Sequence, residues 1–62
     1  MSESKWHVEV AYRFKKKRPG VLLGMTIEAP NREIAEDIAE ARHITPYPSR
    51  ILLYIETSRA HD

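Results

Sequence analysis

At 62 residues, 42% apolar and 31% charged, the chain has the size and composition of one small globular domain. No apolar run approaches the roughly 18 residues of a membrane span, no signal-like segment follows the polar start Met1-Ser2-Glu3-Ser4-Lys5, and the absence of cysteine excludes disulfides, thiolate zinc sites and cysteine nucleophiles. The net charge of +1 conceals an uneven distribution: residues 1–20 carry six Lys/Arg against two Glu, a balance of +4, and residues 21–62 carry four against seven acids, a balance of −3.

Trp6, Val8, Val10, Tyr12 and Phe14 take alternate positions, with Lys5, His7, Glu9, Ala11, Arg13 and Lys15 between them. This period of two predicts a strand with one buried face. Lys15-Lys16-Lys17-Arg18-Pro19-Gly20 reads as the hairpin connection, because proline presets one turn dihedral and glycine accepts a positive φ. The second strand is expected from Val21 to Ala29, with Val21, Leu23, Met25, Ile27 and Ala29 on one face. Pairing Phe14 with Val21 aligns Tyr12 with Leu23, Val10 with Met25, Val8 with Ile27 and Trp6 with Ala29. Every apolar residue of both strands then shares one side, and a slip of one residue would expose a whole set.

Pro30 stops the ladder, and Asn31 is a competent N-cap for a helix from Arg32 to about Arg42. At 100° per residue, Ile34, Ala35, Ile38, Ala39 and Ala41 fall within one arc of about 160°. Glu33, Glu36, Asp37 and Glu40 take the other side. Three alanines on the inner arc predict a helix lying close against its sheet. Two prolines in His43-Ile44-Thr45-Pro46-Tyr47-Pro48-Ser49 forbid its continuation. A third strand is expected from Arg50 to Thr57, with Ser58 to Asp62 as a polar tail outside an ordered core of about residues 5–57.

The expected fold is α+β: a ββαβ chain with a three-stranded antiparallel sheet in the order 2-1-3 and one helix on one face. The first strand, as the cleanest amphipathic element, takes the centre. This topology gathers the hairpin tip, the helix C-terminus, the Pro-Tyr-Pro loop and the start of strand three at one end.

Four adjacent cations, Lys15, Lys16, Lys17 and Arg18, on a hairpin tip suit a phosphate backbone, since each neutralised phosphate releases counterions. Arg13 and Arg50 would flank them as further cations, and Tyr47 as a stacking platform. DNA or RNA is therefore the first partner expected. A second surface is expected on the sheet face away from the helix, where Leu22, Leu52 and Tyr54 would form an exposed apolar strip for a protein partner. A weak homodimer is the other expectation, edge to edge through strand three or face to face through Leu52 and Tyr54. The acidic helix face offers a protein-binding alternative, as a mimic of nucleic-acid charge.

Catalysis is not expected. His7, His43 and His61 do not converge on this topology, His7 and Glu9 supply only two ligands where a metal site needs a third, and no serine has a base beside it. With Gly20 and Gly24 the only glycines, no Gly-rich phosphate loop exists. No cofactor, metal or small-molecule substrate is expected, and the location expected is cytoplasmic.

Ile27-Glu28-Ala29, Ala35-Glu36-Asp37-Ile38-Ala39 and Ile55-Glu56-Thr57 together resemble a pattern in short phage and mobile-element proteins, including some anti-CRISPR proteins. Such proteins occupy a nucleic-acid-binding surface or bind nucleic acid themselves. The resemblance implies a stoichiometric binder and transfers no site residues.

Overall fold

The computed structural model describes residues 3–16 and 19–60. The elements follow the expected order: β1 (Ser4–Phe14), β2 (Val21–Ala29), α1 (Arg32–His43) and β3 (Arg50–Arg59). One three-stranded sheet has the order β2-β1-β3, with β1 antiparallel to both neighbours. The chain is thus a ββαβ domain of the α+β class.

The core lies between the sheet and α1. Val8, Val10, Ala29, Ala35 and Ala39 are fully buried, with Tyr12 and Ile27 beside them. The alanines let the helix backbone approach the sheet closely, so that α1 packs on all three strands. Asn31 caps α1 as the sequence predicts: its side-chain oxygen accepts from the Ile34 amide at 2.9 Å. Trp6 closes the core at the other end of β1, where its indole N–H donates to the Ala29 carbonyl at 3.0 Å.

The hairpin register differs by two residues from the expectation. Tyr12 faces Val21, Val10 faces Leu23, Val8 faces Met25 and Trp6 faces Ile27. An even shift keeps every side chain on its face, so hydrophobic alternation cannot separate the two registers. The observed alignment leaves two more residues in the connection than the expected one, and the backbone at Gly20 closes on β1: a β-carbon there would sit 2.9 Å from the Tyr12 carbonyl oxygen. Glycine is needed for this contact and not for a left-handed φ, which Gly20 does not adopt.

The helix is rolled relative to the arc that periodicity gives. Ala35 and Ala39 form its underside, Ile38 is half-buried, and Ile34 and Ala41 are exposed. The roll carries Glu36 to the β3 flank, where its carboxylate accepts from the Thr57 hydroxyl at 2.7 Å.

β3 departs most from expectation. Ile55 faces Val10 and Tyr54 faces Ala11, but Tyr12 faces Leu52, so Leu53 is an extra residue in a β-bulge. The bulge reverses the inward–outward alternation of the residues before it. Leu52, expected on the open face, is half-buried on the helix side and packs against the core. Leu53, expected inward, is half-exposed, and Ile51 lies opposite Arg13 instead of toward the helix. The bulge thus gives Leu52 to the core and turns Arg50 toward the C-terminus of α1. The strand also runs two residues further than expected: Ser58 faces His7, Arg59 faces Trp6, and the Ala60 amide donates to the Lys5 carbonyl at 3.0 Å. Among the described residues, no helix is long and apolar enough to cross a membrane.

Candidate functional site

The end of the domain that carries the hairpin also carries the helix C-terminus and the start of β3. Lys15 and Lys16 form the turn that follows β1, and both are exposed. Beside them lies a shallow, almost wholly apolar depression of about 360 Å³, lined by Phe14, Lys15, Lys16 and Ser49. Phe14 is held there by an edge-on contact with Tyr12, the ring centroids 5.7 Å apart and the planes at 88°. Lys17 and Arg18, the other half of the expected tetrad, fall outside the described residues.

Arg13 folds back on this turn. Its Nη1 donates to the carbonyls of Phe14 and Lys15, each at 3.4 Å, long contacts that draw its charge toward the hairpin.

Arg50 and Tyr47 sit at the same end but are occupied internally. The Arg50 guanidinium lies 4.4 Å from the centroid of the Tyr12 ring and 3.9 Å from that of Tyr47. Its Nη1 donates to the His43 carbonyl at 2.7 Å. Together these contacts neutralise a free carbonyl at the negative end of the helix and fix the Pro-Tyr-Pro loop on the sheet. Tyr47, half-exposed, offers only the remainder of its surface. The cations and aromatics expected to act together therefore divide into an outward pair, Lys15 and Lys16, and an inward unit of Arg50 with Tyr12 and Tyr47.

The open sheet face has an apolar row across its three strands. Leu22 and Tyr54 flank Ala11, which is buried. Leu22 and Tyr54 themselves remain 57% and 49% exposed. Nearer the other end, a β-carbon at Gly24 would meet the His7 ring at 3.7 Å, ordinary contact.

The acidic helix face is divided by the roll of α1. Glu33 and Asp37 are exposed, whereas Glu36 and Glu40 are half-buried, with Glu36 committed to Thr57. Among the described residues, no three metal-ligating side chains converge.

Sequence reasoning missed Phe14, which counted only as a core residue, and placed Arg50 among the outward flanking cations, whereas it is held internally. A signal for the second did exist: the seven-residue return from His43 to Arg50 contains a tyrosine between two prolines, a rigid segment suited to pressing an aromatic ring onto the strand start. Compared with protein-family models, curated proteins and solved structures, the chain matches none.

Proposed function

We propose that this chain is a small non-catalytic binding protein whose hairpin end contacts nucleic-acid phosphates. The observation that carries this reading is the placement of exposed Lys15 and Lys16 on the rim of the Phe14 depression. Cations beside an apolar aromatic floor suit a strand in which a base rests on the ring and flanking phosphates meet the ammonium groups. Lys17 and Arg18 add two further positive charges in the same stretch of sequence. Arg13 supports the potential of the turn, while Arg50 and Tyr47 serve as its frame.

Fluorescence anisotropy with labelled single-stranded DNA, single-stranded RNA and duplex, each at several salt concentrations, tests the reading. Neutralising about four phosphates gives a log–log salt slope on the order of −3. Lys15→Glu combined with Lys16→Glu removes most of the binding. Absence of binding to every polymer at low salt overturns the proposal.

A second reading has its own observation. The exposed Leu22 and Tyr54 around buried Ala11 form an apolar row that water-facing sheet surfaces rarely keep. A protein-binding module, including a stoichiometric inhibitor, would use this row. Loss of partner capture with Leu22→Ser or Tyr54→Ser, together with no nucleic-acid binding, favours it.

A further inference from the structure

The sheet has two free edges, and they are built differently. On β3 the edge is broken by the bulge at Leu53 and carries exposed Arg59 at its end. Bulges and charges are devices that keep an edge from pairing with another copy. β2 has no such bulge. Its nine residues pair with β1 without interruption, contain no proline and include a single charged side chain, Glu28.

The helix adds a second observation on the same side. Since Glu36 reaches Thr57 on β3, the side chains about 160° away around the helix axis project over the β2 flank. Ile34 is the residue there, 39% exposed, with half-buried Ile38 next to it. Below them Leu23 and Met25 are half-buried on the helix side of β2. Isoleucines above and a bare apolar strand below make one continuous apolar flank.

We propose that β2 is the seam of a symmetric homodimer, in which two copies pair antiparallel through this strand to form a six-stranded sheet with both helices on one face. A two-fold axis perpendicular to the sheet leaves each side chain on its own face and turns the Ile34–Ile38 flanks of the two helices toward each other. Pairing over the full strand sets Met25 opposite Met25 and Leu23 opposite Ile27. The charges agree with this orientation. The basic sequence Lys15–Arg18 leads into the start of β2, and antiparallel pairing sets that start beside the partner's end of β2, where Glu28 and Glu33 are exposed with Arg32. Attraction between unlike ends thus favours the antiparallel arrangement. The inference stands apart from the nucleic-acid reading.

Sedimentation equilibrium of the full chain, from micromolar to millimolar concentration, tests it. The expected result is a reversible dimer. Leu23→Lys, which places a charge on the seam, and Ile34→Glu, at an exposed helix position, each weaken it by about tenfold or more. Circular dichroism of each variant establishes that it is folded. Leu53→Lys, on the opposite edge, leaves the dimer constant unchanged. Because the chain has no cysteine, Met25→Cys gives a clean readout by oxidation, a disulfide-linked dimer. A wild-type monomer throughout the range overturns the proposal. So does a dimer that Leu53→Lys abolishes while folded Leu23→Lys and Ile34→Glu retain it.

Discussion

The Arg50 guanidinium donates to the His43 carbonyl at 2.7 Å, tying the first residue of β3 to the last residue of α1. That bond sits within contacts to the Tyr12 and Tyr47 rings, so the planar guanidinium is what the site requires. Arg50→Met should cost about 1–3 kcal/mol in urea unfolding, and Arg50→Lys should recover only part of it. The salt slope for nucleic acid should stay at the wild-type value in folded Arg50→Met. A slope reduced by about one would make Arg50 a phosphate contact.

The glycines should respond in opposite ways to alanine. Gly20→Ala drives a methyl group to 2.9 Å from the Tyr12 carbonyl and 3.2 Å from Leu53 Cδ1, so the backbone must shift. A loss of about 1–3 kcal/mol is expected. Gly24→Ala meets nothing closer than the His7 ring at 3.7 Å, and should be neutral or stabilise by up to about 1 kcal/mol through the unfolded chain. Thermal melts of the two variants, side by side, check the contrast.

Ala39 is fully buried beneath α1. Ala39→Leu should lift the helix from the sheet and cost about 1–3 kcal/mol. A core this small supplies only about 3–5 kcal/mol in total, so a large unfolded fraction should appear by circular dichroism at room temperature. Native-like stability in this variant would show that the helix–sheet spacing is adjustable.

The bond from the Thr57 hydroxyl to the Glu36 carboxylate at 2.7 Å fixes the roll of the helix. Thr57→Val and Glu36→Gln should each destabilise by about 0.5–2 kcal/mol, and the double variant by less than the sum. Strict additivity in the double-mutant cycle would mean that the contact contributes nothing.

The alternation from Trp6 to Phe14 and from Val21 to Ala29, the Asn31 cap and the Pro46–Pro48 break determined the elements and which face of β1 is buried, because each is a local preference or a period. The sheet order followed from placing the cleanest amphipathic strand at the centre. Three features required the tertiary structure. The hairpin register depended on how closely the backbone at Gly20 approaches Tyr12, since alignments two residues apart bury the same faces. The roll of α1 depended on Thr57, which is 21 residues from Glu36 and invisible to helical periodicity. The bulge at Leu53 depended on the joint demands of burying Leu52 and bringing Arg50 to the helix end, and no local pattern in Ile51-Leu52-Leu53-Tyr54-Ile55, apolar at every position, marks where alternation reverses. The candidate site divides along the same line: the exposure of Lys15 and Lys16 follows from a charged turn, whereas the withdrawal of Arg50 into the frame follows from contacts made only when helix, loop and strand meet.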